Sequence, residues 1–129
     1  MESKEEKERP ADMFIDMMQC YDNKLDNGLK AALRRSVTPD DLRDTAGLYR
    51  LVHEIPPRAG WLRVVFLVPW CRHKNKAPSF GRSLADNRIS EVRVLQMVRA
   101  KPPLDMVYLR RLAMQLFRKE VRVDMSIFG

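Results

Sequence analysis

Two proline pairs, Pro56-Pro57 and Pro102-Pro103, cut the helical pattern of this 129-residue chain into short pieces. A proline inside a helix removes a backbone donor and clashes with the preceding turn, so neither pair can sit mid-helix. What remains is a series of amphipathic segments, each shorter than about five turns, which can bury an apolar stripe only against one another. The fold class that follows is all-α: one small bundle, or two small helical lobes that share a core. An apolar fraction of 45% is enough for such a core.

Starting signals mark most segments. From Ala11, Met13, Phe14, Ile15, Met17, Met18 and Tyr21 recur as on a first helix that ends near Asp26-Asn27-Gly28. Leu29, Ala32 and Leu33 begin a second, closed by Arg34-Arg35, cations that suit a helix C-terminus. Thr38-Pro39-Asp40-Asp41 reads as cap, first helical position and acidic first turn. The helix it opens would bury Leu42, Ala46, Tyr49 and Val52 and stop at Ile55-Pro56-Pro57. Trp61 to Val68 is apolar nearly all round and reads as a central helix, its β-branched content leaving a strand as the alternative. Ser79 caps Phe80 to Asp86, and Ser90 caps Glu91 to Ala100, where Val94, Leu95 and Val98 form the apolar side. After Pro102-Pro103 the last clear helix buries Leu109, Leu112 and Leu116. Residues 1–10 mix Glu and Lys and read as a mobile charged tail. Residues 11–71 form an N-terminal helical lobe, 72–78 a basic loop suited to movement, and 79–129 a basic C-terminal lobe.

Charge is divided unevenly along this framework. Residues 1–71 hold 11 Lys/Arg against 12 Asp/Glu, and residues 72–129 hold 13 against 5. A basic half, made mostly of arginine, points to a polyanion partner, because the planar guanidinium fork matches phosphate. Periodicity turns Arg93 and Gln96 away from the apolar side of their helix and places Arg111 and Arg118 opposite Leu109, Leu112 and Leu116. Arg110 is lateral, and Arg99 lies at the edge of the apolar stripe. Such a surface holds a phosphate backbone without reading bases. A recognition helix carrying Asn or Gln, as a sequence-specific helix-turn-helix would require, is missing.

Catalytic signals are missing too. His53 and His73 have no nucleophile at a recognisable elbow, and there is no P-loop or G-x-G-x-x-G. Cys20 and Cys71 read as reduced, half-buried fillers. Cys71 and His73 lack a second ligand pair at zinc-like spacing, so neither a metal site nor any other cofactor is expected. No apolar run reaches the ~20 residues of a bilayer span. The charged start MESKEEKERP lacks the apolar core of a signal peptide, which makes the cytoplasm the expected compartment.

Three stretches together resemble a known family. They are Leu25-Asp-Asn-Gly with Leu33-Arg-Arg, Pro39-Asp-Asp-Leu-Arg-Asp with Leu48-Tyr-Arg-Leu-Val, and Ser79-Phe-Gly-Arg-Ser-Leu-Ala-Asp through Met97-Val-Arg-Ala to Asp105-Met-Val-Tyr-Leu-Arg-Arg-Leu. From Asp16 to Leu116 the chain is similar to the CasB-type small subunit of the type I-E CRISPR surveillance complex, Cascade. The resemblance implies a non-catalytic all-α subunit for which a second copy, the large subunit and the guide-RNA-carrying backbone subunits are partners. It implies basic faces that hold target and displaced DNA strands and stabilise the R-loop, with guide RNA touched only indirectly. The family's basic positions carry over onto Arg35, Arg93, Arg99 and Arg111, and more loosely onto Lys76; Arg118 rests on periodicity alone. Relatives continue with a further helix rich in Trp and basic residues where this chain has Val121 to Gly129, so a shortened C-terminal lobe is expected to leave Leu109, Leu112, Leu116 and Phe117 partly uncovered. The competing reading is a free-standing helical DNA-binding regulator, which would select sequence on duplex DNA alone. A metal-dependent nuclease ranks third.

Overall fold

The computed structural model describes residues 10–53 and 56–125. The tail expected over residues 1–10 lies, apart from Pro10, outside the described residues, as does Ile55 at the expected end of the third helix. The regular elements among the described residues are all helical: α1 (Pro10–Lys24), α2 (Asn27–Arg34), a 3-10 turn (Pro39–Asp44), α3 (Ala46–Leu51), α4 (Ala59–Leu67), a 3-10 turn (Val68–Trp70), α5 (Phe80–Asp86), α6 (Glu91–Arg99) and α7 (Leu104–Arg118). No strand is present among the described residues; the one isolated bridge pairs His73 with Val123.

The apolar periodicity of α1 places Phe14, Met17, Met18 and Tyr21 in the core, and α4 adds Leu62, Val65 and Phe66. Trp61 to Val68 is therefore helical, and its all-round apolar character reflects burial between the Pro39–Asp44 turn, α3 and α7 rather than a strand. Gly47 has a packing reason. A Cβ there would come within 3.1 Å of the Leu33 side chain, so glycine lets α2 and α3 approach. The buried residues join into a cluster running from Phe14 to Met125.

Two expectations are corrected. The helix opened by Thr38-Pro39 breaks at Thr45, whose backbone is extended at φ −106°, ψ 134°. Both the amide and the hydroxyl of Thr45 donate to the Leu42 carbonyl, at 2.9 and 2.7 Å, and this local bonding ends the 3-10 turn. The break resets the helical phase: Leu48 and Leu51 turn inward with Leu42 and Val52, while Ala46 and Tyr49 are exposed. The second correction concerns α6. Its expected apolar side is not buried, since Leu95 and Val98 are 47% and 66% exposed and only Val94 and Met97 reach the core. The helix lies at the edge with α7 as its main neighbour, and one neighbour covers only a narrow stripe.

Helices α5 and α7 both end without glycine. Arg88 and Glu120 take left-handed backbone at φ 58°, and the following amides, of Ile89 and Val121, reach back to the carbonyls of Leu84 and Leu116 at 3.0 Å. This is the glycine-type helix ending built on residues that tolerate it less well. Burial in this region also sets thiol chemistry. The Cys71 thiol is pushed up to about 12 by burial alone. Because the unfolded thiol ionises near 9 and the folded one near 12, stability is fully present below about pH 9 and is lost as pH rises between the two. Cys71 is expected to resist iodoacetamide at pH 8 in the folded protein and to react once urea unfolds it; equal labelling rates would contradict this.

Candidate nucleic-acid interface

Helices α6 and α7 build the largest concentration of the expected arginines. They run side by side after the turn at Lys101–Pro103, and between them opens a cleft of about 480 Å³. Arg93 and Gln96 line it from α6, and Tyr108, Arg111, Gln115 and Arg118 from α7, with Leu112 and Met114 forming its apolar floor. Leu112 is 1% exposed, so the floor is part of the core and cannot shift without cost. Arg93, Arg111 and Arg118 are exposed. The Arg111 guanidinium lies 5.6 Å from the Tyr108 ring, a weak cation–π contact between two residues that line the cleft. No carboxylate lines the cleft. Three arginine forks and two amides over an apolar floor can accept a run of phosphates and offer no donor–acceptor pattern fixed enough to read bases.

The other expected positions fall outside this cleft. Arg99 is exposed at the last residue of α6, and Arg35 is exposed just beyond α2, where its amide closes the helix on the Ala31 carbonyl at 3.1 Å. Lys76 is exposed in the basic loop at φ 66°.

That loop is not the free connector its composition suggested. Its backbone is bonded to the C-terminal segment: Lys74 donates to the Val123 carbonyl at 3.0 Å, Val123 to the Arg72 carbonyl at 2.8 Å, and Asp124 to the Pro78 carbonyl at 3.1 Å. The buried Asp124 carboxylate accepts the Lys76 amide at 3.0 Å, and His73 Nδ1 accepts the Met125 amide at 3.0 Å. Since that nitrogen accepts, the ring proton sits on Nε2 and is donated to Asn75 Oδ1 at 2.8 Å. The same C-terminal residues, Val123 and Met125, are buried, and Leu112 and Leu116 are nearly fully covered, so the exposure expected at those two positions is not found; Leu109 and Phe117 are half-buried.

Arg110 separates from its neighbours in sequence. It donates to the Ser36 carbonyl, its guanidinium stacks 4.3 Å from the Phe66 ring, and burial followed by repulsion from Arg111 lowers its pKa. It ties α7 to the end of α2 and to α4. Arg63 of α4 makes a second tie, 2.6 Å from Asp105, and that hydrogen bond holds the Asp105 carboxyl below the usual range. No group of three or more His, Cys, Asp or Glu able to hold a metal ion occurs among the described residues. No described helix is long and apolar enough to cross a membrane.

A scan against protein-family models returns no match. The Cascade subunit CasB of Escherichia coli K12 is 40% identical over 120 residues, covering 76% of this chain and 72% of that protein. A chain in the crystal structure of E. coli Cascade bound to a PAM-containing double-stranded DNA target superposes with a TM-score of 0.73 at 37% identity, over 86% of this chain and 78% of that one. With a shared fold and identity at this level across most of both chains, the protein belongs to the CasB family of Cascade subunits.

Proposed function

We propose that the chain is a non-catalytic small subunit of an RNA-guided Cascade complex and holds DNA backbone while the guide pairs with its target. The observation that carries the reading is the carboxylate-free cleft of Arg93, Arg111 and Arg118 on a chain of CasB ancestry. R-loop formation exchanges one duplex for another of nearly equal stability, so a few backbone contacts suffice to tip it. Arg35, Lys76 and Arg99 would extend the contact beyond the cleft, and the subunit would serve alongside a second copy, the large subunit and the backbone subunits.

The test is reconstitution with the remaining Cascade subunits and guide RNA. R-loop lifetime on a matched target should lengthen when the chain is added, and no cleavage should appear on adding divalent metal. The isolated chain should bind random and matched duplexes alike. Sequence-selective duplex binding by the chain alone, with no effect on R-loop lifetime, would instead establish a free-standing regulator.

A further inference from the structure

One turn of the basic loop is built against the preference of its own residues. The Ala77 amide donates to the Lys74 carbonyl at 3.2 Å and closes the turn, whose third residue, Lys76, has left-handed backbone at φ 66°. That position favours glycine or asparagine, which take positive φ at little cost. An asparagine is at hand, but it stands one place too early, at Asn75. A lysine in this conformation persists only where its surroundings over-determine it, and such outliers collect at functional sites.

Here the determinant is Asp124. It lies on the segment after α7 and is 6% exposed. Its carboxylate accepts the Lys76 amide at 3.0 Å, and its own amide donates to the Pro78 carbonyl at 3.1 Å. Asp124 therefore grips the loop on both sides of Ala77. Its neighbours hold it there. Val123 exchanges backbone bonds with Arg72 and Lys74, and the Met125 amide donates to His73 Nδ1. A carboxylate this buried is costly to desolvate, and a backbone amide aimed at it offsets part of that cost. Lys76 itself is exposed. Its backbone is thus bonded from within while its side chain is open to a partner.

We propose that Asp124 is a positioning residue, whose buried carboxylate sets the left-handed turn through which Lys76 meets a phosphate of the DNA backbone. This rests on the reading that the chain holds DNA, and adds to it the residue that aims the loop. Asp124 does not touch DNA itself, being buried and of the same charge as phosphate.

The experiment uses the full chain and a fluorescent duplex of random sequence, with anisotropy followed over a salt series. Lys76→Ala should lower the log–log slope by about 0.9, one phosphate contact on duplex DNA. Asp124→Ala should lower it by the same amount, and the two together by no more than either alone. Deleting a carboxylate from a protein of net charge +7 would by charge alone strengthen DNA binding, so this fall has the opposite sign to that trivial effect. Asp124→Asn makes the same change in charge but keeps an oxygen for the Lys76 amide. It should retain both the slope and the slow hydrogen exchange of that amide, which Asp124→Ala should lose. Asn75→Lys with Lys76→Gly covers the case in which Asp124→Ala fails to fold. It suits the left-handed site, keeps the net charge and moves the ammonium by one residue, so its slope should fall by about 0.9. An unchanged slope in Asp124→Ala or in the moved-lysine variant overturns the proposal. So does an equal fall in Asp124→Asn, or a further fall when Asp124→Ala is combined with Lys76→Ala. Failure of the Cascade reading would show elsewhere, as an R-loop lifetime that the added chain does not change, with these duplex readouts intact.

Discussion

Replacing Arg93, Arg111 and Arg118 together by alanine is expected to lower the log–log salt slope of DNA binding by about 2.1–2.7, at roughly 0.7–0.9 per phosphate contact. Between 50 and 200 mM salt, that change removes roughly a 20- to 40-fold portion of the salt sensitivity. The three side chains are exposed and line one cleft, so they can address successive phosphates of one strand. Substitutions at exposed positions usually shift stability by no more than about 0.5 kcal/mol. Arg111 adds its weak contact with Tyr108, so loss of binding with an intact melt would locate the effect at the interface. In an assembled complex the same variant should shorten R-loop lifetime. Arg43→Ala is the internal comparison, because Arg43 is exposed, lies outside the cleft lining and is already paired with Asp40 at 2.8 Å. A triple variant with unchanged slope and unchanged lifetime would remove the assignment of this cleft while leaving family membership in place.

The parts of this interface that could be read in the sequence are those governed by local rules. Leu112 and Leu116 on α7 are buried and Arg111 and Arg118 are exposed because a fifteen-residue helix fixes which residues share a face. The turn after Ser79 was legible for a similar reason: its hydroxyl accepts the Arg82 amide at 3.2 Å, three residues on. What escaped depends on partners distant in sequence. Whether Val98 is buried or exposed is decided by how many helices surround α6, and periodicity is silent on that. The bonds that pin Lys74 and Lys76 come from residues about fifty positions away, on a segment with no regular pattern of its own. Nothing in the basic loop's own sequence signals that Phe117, forty-five positions on, stacks against Arg72.

Phe66→Ala is expected to cost about 3–5 kcal/mol of folding stability, the largest loss anticipated for a single substitution. Phe66 is 2% exposed in α4 and packs in the cluster that joins α1 to α7. Removing the ring opens a cavity and also strips the surface on which the Arg110 guanidinium rests at 4.3 Å. For a chain of 129 residues the loss corresponds to a fall in Tm of roughly 10–20 °C. Phe66→Leu keeps most of the volume and should cost only about 1–2 kcal/mol. Arg110→Ala belongs to the same pattern. It leaves the Ser36 carbonyl without its donor and removes the stacked cation, so stability should fall by about 1.5–3 kcal/mol, while the salt slope of DNA binding stays unchanged. Arg111→Ala should do the reverse. Urea denaturation beside a salt titration, run on both single variants, decides the matter. If Arg110→Ala lowered the slope as much as Arg111→Ala, or Phe66→Ala cost less than about 1.5 kcal/mol, the division of these two neighbouring arginines between core and interface would be wrong.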